Sequence, residues 1–349
     1  MPREFYLRLR EELVQLGLTP CPADQRLFMW FPGDDLCGIL ICHIDDILHG
    51  GNDQFNNDVM YSLERTFDIG SKQSSCFTYI GVNMKQLPDY SIIIDQKSFT
   101  DSIKYLDIDK NRRTCDEVTE SERTSLRAAI GQLNWIAGMS RPDLSFDVCQ
   151  LSSLVKNATV SDMIYANKVI KRAQTEPLSL LVPSLDLSQS RIVTFADASY
   201  NNLPDGGSQG GNVIFLSDGK RSTPLQWSSA RIKRVVRSTL AAESLSASSA
   251  CDSSLYLANL VKLVLNNAED TQVICITDNK SMFDSISTSK PTTEQRLRLD
   301  ISALREMNEK KEVTFHWVKG QYQLSDCLTK KGASSKALRD VLSLGTLTH

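Results

Sequence analysis

The sequence predicts a mixed α/β fold (α+β in its ordering), in which a five-stranded mixed sheet with flanking helices follows a strand-rich region and a run of helices. Two observations predict the sheet. Three strand-like segments follow one another after residue 190 with short turns between them, and two more alternate with helices further along. Strands joined by short turns pair antiparallel, whereas strands separated by helices add in parallel through right-handed crossovers.

The first half of the chain predicts a small β region followed by helices. A helix at 4–17 ends at Gly17, and two strands then flank a Pro-Gly-Asp-Asp turn; the second of these, 36–42, is almost wholly apolar. The predicted elements that follow are a helix near 53–66, strands at 77–84 and 91–95, helices at 96–106, 121–139, 143–156 and 161–174, and a Pro-, Ser- and Leu-rich junction at 176–190.

The second half predicts the mixed sheet and its helices. The elements, in order, are strands at 191–200, 211–216 and 225–228, a helix at 238–265, a strand at 272–277, helices at 280–287 and 293–309, a strand at 313–318, and a helix from 324 onward.

Composition bounds the function. With 349 residues, 41% hydrophobic and 23% charged, the chain has an ordinary globular composition. A net charge of −3 excludes a bulk attraction to nucleic acid, so any such binding depends on local patches. Nine cysteines without paired spacing indicate reduced thiols in an intracellular protein. No apolar run approaches the roughly 20 residues of a membrane helix.

Four acidic residues lie at the ends or inner faces of predicted elements in the second half. They are Asp197 within a strand, Glu243 on the first turns of the long helix, Asp278 at the end of a strand, and Asp326 at the start of the last helix. Taken alone, each acid has an ordinary interpretation as a solvated surface carboxylate or a helix N-cap. Together, beside apolar strands, they would repel one another unless a cation lay between them. Mg²⁺ is the usual partner in phosphodiester chemistry, so the set predicts a metal-dependent nuclease.

The phrases around these acids carry a family resemblance. The chain is similar to the ribonuclease H end of copia-type LTR-retrotransposon Pol polyproteins, and its four-carboxylate layout resembles the ribonuclease H fold. The resembling phrases are QWSS at 226–229, STLAAE at 238–243, TDN at 277–279, SDCLTK at 325–330, IGQLNWIA at 130–137, SRPD at 140–143, YIGV at 79–82 and DQ at 95–96.

The resemblance implies hydrolysis of the RNA strand in an RNA–DNA hybrid with two Mg²⁺ ions, for which Mn²⁺ is a substitute. It implies that Asp197 bridges both ions, with Glu243 and Asp278 on one side and Asp326 on the other. It departs from cellular ribonucleases H at Gln321, where they carry a histidine. His316 is offset into a strand and is more typical of a structural residue, so we assign no catalytic histidine, and assistance by either residue stays open.

A second acidic pair resembles the reverse-transcriptase hairpin. His43-Ile44-Asp45-Asp46 has the form of a strand-turn-strand tip, although the first position of this motif is normally tyrosine. The resemblance implies that Asp45 and Asp46 are metal ligands of a polymerase remnant. The family's third carboxylate lies on an earlier strand, which would precede Met1. We therefore expect no reverse transcriptase activity from this chain alone.

Local positive charge predicts the contacts to nucleic acid. Arg231, Lys233, Arg234 and Arg237 precede the helix that carries Glu243, and their charges could face phosphates near the metal. A basic run is equally typical of a solvated face. Weaker candidates are Trp317, Lys319, Lys330 and Lys331.

The resemblance divides the chain into four parts. They are a partial reverse-transcriptase palm and thumb at 1–110, a helical connection at 111–190, a ribonuclease H-like domain at 191–335, and a C-terminal tail at 336–349. It implies RNA–DNA hybrid as partner, no membrane, association with other Pol or Gag products, and an intracellular location, either cytoplasmic in a virus-like particle or nuclear.

Two alternatives stay open at this point. A degenerate or domesticated retroelement fragment would keep the fold and bind nucleic acid without cleaving it. A four-carboxylate nuclease or resolvase acting on DNA would fit the metal site but not the upstream phrases.

Overall fold

The computed structural model describes residues 2–266, 270–288 and 294–347. The chain forms two compact units. The first comprises Met1–Tyr79 and Tyr256–Thr271, and the second comprises Ile80–Leu255 and Gln272–His349. Among the described residues, no helix combines the length and the apolar character needed to cross a membrane.

The first unit has a four-stranded antiparallel sheet, in the order β1-β2-β3-β4. Alternate residues of β3 are buried, because side chains on a strand point to opposite faces. Leu40 from β3, Phe28 from β2 and Leu13 from α1 share the core with Phe55. The elements are α1 (Pro2–Gln15), β1 (Leu18–Pro20), β2 (Leu27–Trp30), β3 (Gly38–His43), β4 (Asp46–Gly51), α2 (Asp53–Phe55), a π-helical turn (Asn56–Met60), α3 (Tyr61–Thr66) and β5 (Cys76–Tyr79).

The second unit begins with a small antiparallel sheet and a helical layer. Strands β6 (Val82–Gln86), β7 (Ile92–Asp95) and β8 (Leu180–Val182) pair in that order. Capping boxes begin the two longest helices of this layer, with Thr119 and Glu122 at one and Thr159 and Asp162 at the other. The helices are α4 (Lys97–Ser102), α5 (Glu120–Met139), α6 (Ser145–Leu154) and α7 (Val160–Thr175).

The larger sheet of the second unit confirms the predicted five-stranded mixed architecture. Its order is β11-β10-β9-β12-β13. Strands β9, β10 and β11 pair antiparallel, and β12 and β13 add in parallel. The elements are β9 (Arg191–Ser199), β10 (Gln209–Ser217), β11 (Ser222–Arg231), α8 (Thr239–Leu265), β12 (Gln272–Thr277), α9 (Lys280–Ser287), α10 (Arg298–Glu309), β13 (Thr314–Trp317) and α11 (Lys336–Leu344). The residues of α8 from Tyr256 onward belong to the first unit.

The end of the chain differs from the prediction. The predicted helix from 324 onward is wrong: Asp326–Leu328 is a single 3₁₀ turn, and α11 begins ten residues after Asp326, at Lys336. Gly332 adopts a φ of 74°, which a right-handed helix excludes. The segment expected as a tail therefore contains a helix, whose Leu338 and Leu342 join the core on the sheet; residues 348–349 lie outside the described residues.

Smaller differences concern element boundaries. The strand predicted at 77–84 is divided by Ile80 and Gly81, which both have positive φ angles. The junction at 176–190 contains β8. The helix predicted from Thr293 begins at Arg298, and Thr293 itself lies outside the described residues.

Candidate metal centre

Three of the four predicted acids converge at the centre of the five-stranded sheet. Asp197 lies on β9, Asp278 directly follows the neighbouring parallel strand β12, and Glu243 lies on the first turns of α8. One carboxylate oxygen from each residue lies within 4.8 Å of the others. Asp197 is 1% exposed and Glu243 is 5% exposed. Asp278 is half-buried, so the cluster opens to solvent on its side.

Small side chains on α8 bring Glu243 close to the sheet. Ala242, Ser246, Ala250 and Ser254 are buried at helical spacing along one face. Ser246 donates its hydroxyl to the backbone carbonyl oxygen of Asp197 at 2.8 Å. The hydroxyls of Ser254 and Thr194 lie 2.6 Å apart. These bonds hold the helix against β9, next to Asp197.

Asp326 reaches the site on a turn that closes over β9 and β10. Gly211 pairs with Asp197 across the sheet, and a Cβ atom at Gly211 would lie 2.8 Å from Leu328 Cβ and 2.8 Å from Thr329 Cγ2. Only glycine therefore leaves room for this turn. The Thr329 hydroxyl donates to Asp197 Oδ2, and Gln323 Nε2 donates to the carbonyl oxygen of Ala196 at 2.9 Å.

Lys330 lies between the fourth acid and the other three. Its Nζ lies 3.6 Å from Asp197 Oδ2 and forms an ion pair with Asp326 Oδ1. The Asp326 side chain is 34% exposed, and its oxygens lie outside the three-acid cluster. The four acids therefore occupy one site, but Asp326 is held there by an ammonium group.

Two of the carboxyl groups, those of Asp197 and Glu243, are destabilised as anions. Burial raises the pKa of Asp197 to about 6; the charges of Asp278 and Asp326 add to this, and Lys330 and Thr329 oppose it. Burial and the charges of Asp197 and Asp278 raise the pKa of Glu243 to about 9. Burial disfavours the Lys330 ammonium, but Asp197 and Asp326 outweigh it and raise the pKa of Lys330.

The donor set fits a divalent cation. Glu243 Oε2 is buried and has no hydrogen-bond partner among the described residues. A buried polar atom without a partner is costly, and a cation between the three carboxylates would satisfy it. Hard divalent ions such as Mg²⁺ select carboxylate oxygens. Asp197, Glu243 and Asp278 are the residues that could hold such an ion.

The structure separates the predicted basic residues into two kinds. Arg231 and Arg234 form ion pairs with Asp205 and Asp300. Lys233 and Arg237 are exposed.

Lys319 and its neighbours lie along the edge of the metal site. Lys319 is exposed, and a Cβ atom at the following Gly320 would lie 3.2 Å from Asp278 Oδ2. Trp317 donates its indole N–H to the carbonyl oxygen of Asp278 at 3.0 Å. His316, on edge strand β13, and Gln321 are both exposed and outside the cluster.

In the first unit, Asp45 and Asp46 lie at the predicted hairpin tip. His43 and Asp46 pair across the end of β3 and β4, and Ile44 has a φ of 58° in the turn between them. Both aspartates are exposed. Among the described residues, neither belongs to a group of three or more potential metal ligands.

Sequence reasoning missed the structural roles of three residues that shape the site, although it named Lys330 as a weaker candidate for contact with nucleic acid. Gly211, Thr329 and Lys330 position the turn and its charges. The spacing of Asp326 and Lys330, four residues apart, was the available signal, because residues at that spacing can meet in a helical turn.

Comparisons with known proteins agree with this architecture. No family model matches the chain. The Pol polyprotein of Arabidopsis thaliana transposon RE2 is 23% identical over 348 residues, which cover 94% of this chain. The Pol polyprotein of Arabidopsis thaliana transposon RE1 is 23% identical over an alignment of 256 residues, and the match covers 69% of this chain. The chain has homologues among retrovirus-related Pol polyproteins of transposons. It spans 17% of the RE1 polyprotein and 23% of the RE2 polyprotein, a small share of each.

A solved structure supports the fold. The foamy viral protease–reverse transcriptase in complex with RNA/DNA hybrid matches 95% of this chain and 39% of its own, with 13% sequence identity and a TM-score of 0.54. LC11-RNase H1 in complex with RNA/DNA hybrid matches 42% of this chain, with 18% identity, at a TM-score of 0.31 that does not by itself establish a shared fold. The sequence relatives from transposons RE1 and RE2 confirm the predicted resemblance to retrotransposon Pol polyproteins.

Proposed function

We propose that this chain hydrolyses the RNA strand of RNA–DNA hybrids with Mg²⁺. The observation that carries the proposal is the convergence of Asp197, Glu243 and Asp278 in a chain with Pol homologues, with Glu243 Oε2 buried and unpartnered. Burial raises the pKa values of Asp197 and Glu243, and a cation shared with the neighbouring Asp278 would stabilise the ionised carboxylates, so the three acids form a ligand set rather than an acid–base pair.

The residues divide the work of the site between them. Asp197, Glu243 and Asp278 would hold one ion, and the family resemblance implies a second ion at Asp197 and Asp326; Mn²⁺ would substitute for Mg²⁺. Such ions, when bound, activate a water and stabilise the leaving oxygen. The Thr329 hydroxyl donates to Asp197 Oδ2 and orients this carboxylate.

Exposed positive charges would bind the phosphates. Lys233, Arg237 and Lys319 are exposed, whereas Arg231 and Arg234 already pair with carboxylates. We therefore expect the first three to supply more of the affinity. Each phosphate contact contributes about 0.7–0.9 to the slope of log affinity against log salt, so removing one should lower that slope measurably.

A second candidate is binding to nucleic acid without cleavage. The observation in its favour is the Lys330 ammonium, which already neutralises part of the charge that metal ions would balance. In this case the chain would bind hybrids equally well with Mg²⁺ and with EDTA, and neither condition would release product.

A cleavage panel separates these candidates. The purified chain is incubated with labelled RNA–DNA hybrid, duplex DNA and duplex RNA, each with Mg²⁺ or EDTA. We expect EDTA-sensitive cutting of the hybrid alone, lost in Asp197→Asn and retained in Asp284→Asn, which removes an exposed acid on α9. Cutting of duplex DNA would indicate a DNA nuclease instead, and binding without cutting would favour the second candidate.

The setting of the chain is a further part of the proposal. We propose an intracellular location and association with other Pol or Gag products, on the basis of the Pol homologues. Co-sedimentation of the tagged chain with Gag particles tests this, and a chain that stays wholly in the soluble fraction would contradict it.

A further inference from the structure

We propose that Lys330 takes the place of a second divalent ion, so that the protein holds one ion, at Asp197, Glu243 and Asp278. This inference rests on the metal site proposed above and revises its stoichiometry.

The geometry places the Lys330 ammonium where a second ion would bind. An ion shared by Asp197 and Asp326 must lie between their carboxylates, and Lys330 Nζ lies there already. Asp197, Glu243 and Asp278 form a separate group of possible ligands that does not include Asp326. The site therefore has two cation positions, and the chain itself occupies one of them.

The position of Lys330 is fixed by the turn that carries it. Thr329 binds Asp197 Oδ2, and the next residue is Lys330, so the two side chains reach the same carboxylate from one turn. Asp326 and Lys330 lie four residues apart and pair directly. The Lys330 side chain is 42% exposed, so its ammonium group contacts the acids on one side and solvent on the other.

The Lys330 ammonium obstructs a second divalent ion. It lies 3.6 Å from Asp197 Oδ2 and pairs with Asp326 Oδ1. A second ion shared by these two carboxylates would have to approach the ammonium within a few ångströms or displace it. Lys330 is thus a positioning residue for the carboxylates.

The experiment counts Mn²⁺ ions bound to the full chain by electron paramagnetic resonance. We expect one ion per wild-type chain below millimolar concentration and two for Lys330→Met. Lys330→Arg keeps the positive charge and should bind one ion. The control Lys331→Met should also bind one ion, because the Lys331 ammonium that it removes lies over the Tyr165 ring. A thermal melt in Mn²⁺ confirms that each variant is folded.

Asp326→Asn provides a second measurement of the number of bound ions, in a variant that keeps Lys330 in the sequence. If Lys330 occupies the second position, this variant keeps one ion; if the site holds two, it loses one. Two ions in the wild type, or an unchanged count in Lys330→Met, overturns the inference. Either result leaves the proposed function standing as long as Asp197→Asn abolishes Mn²⁺ binding, whereas no binding by any variant refutes both.

Discussion

Substitution of Glu243 by glutamine should stabilise the metal-free protein, although it removes a proposed ligand. The pKa of Glu243 rises from its ordinary 4.5 to about 9 through burial and the charges of Asp197 and Asp278. In the folded chain the carboxyl therefore keeps its proton at pH 7.5, while in the unfolded chain it ionises. Folding takes up a proton, so the free energy of unfolding falls as pH rises from about 4.5 to about 9.

The magnitude follows from the distance in pH. At pH 7.5 the unfolded carboxyl lies about three units above its pKa, and each unit is worth about 1.4 kcal/mol, so the cost is about 4 kcal/mol. Glutamine is neutral in both states and avoids this cost. Burial of its amide group removes part of the gain. We expect a net increase of about 2–4 kcal/mol in the free energy of unfolding.

Urea denaturation in EDTA at pH 4.5 and pH 7.5 measures the effect. Glu243→Gln should exceed the wild type at pH 7.5 and approach it at pH 4.5. The control Glu309→Gln, which changes an exposed residue at the end of α10, should differ by less than about 0.5 kcal/mol at both pH values. Equal stability of Glu243→Gln and the wild type at pH 7.5, or a difference independent of pH, would refute the reasoning.

Four further outcomes follow from the structure. Gly211→Ala should lower the free energy of unfolding by about 1–3 kcal/mol, because the added Cβ would lie 2.8 Å from atoms of the 326–329 turn. The control Gly131→Ala, which has open space around it in α5, should raise the free energy of unfolding by about 0.5–1 kcal/mol. A loss in Gly211→Ala no larger than the change in the control would contradict this packing. Asp143→Asn should lower the free energy of unfolding, measured by urea denaturation, by about 3–5 kcal/mol, because it leaves the buried Arg141 without its carboxylate partner. The control Asp101→Asn, which removes an exposed ion pair with Lys97, should lower it by less than about 1 kcal/mol. Similar losses in the two variants would contradict the importance of the buried pair. Calorimetric Mg²⁺ affinity should rise from pH 6 to pH 9, because the ion displaces protons from carboxyls of raised pKa, and a flat profile would count against this. Purified chain should not extend a primer on an RNA template with dNTPs, because Asp45 and Asp46 belong to no group of three potential metal ligands among the described residues; any extension product would show that expectation to be wrong.

The sequence predicted the larger sheet because its strands and helices have clear periods. β9 and β12 are apolar runs that end at or contain an acid, and in a sheet with parallel neighbours such residues meet at one edge. The convergence of Asp197 and Asp278 could therefore be anticipated. Glu243 could be added because it lies on the first turns of the helix predicted at 238–265.

The environment of Asp326 could not be predicted from periodicity. Leu324, Cys327 and Leu328 have helical spacing, but they are buried against the sheet from a 3₁₀ turn rather than along a helix. Their positions depend on the space that Gly211 leaves on a strand far away in sequence. The ion pair of Lys330 depends on that same turn, and for this reason it was missed.

The SRPD phrase at 140–143 has a structural explanation. Arg141 binds Asp143 through two hydrogen bonds of 2.9 Å, and Arg339 of α11 donates to Asp143 at 2.8 Å. Although burial opposes ionisation, the two guanidinium groups hold the pKa of Asp143 below its usual range. The phrase thus joins the helical layer to the last helix within the second unit.

The strand-specific cleavage of an RNA–DNA hybrid tests the central claim most directly. With the RNA and the DNA labelled separately, the wild-type chain in Mg²⁺ should shorten only the RNA strand, and Asp197→Asn should shorten neither. An intact RNA strand after incubation with folded, Mn²⁺-loaded protein, or equal cutting by Asp197→Asn, would contradict the account.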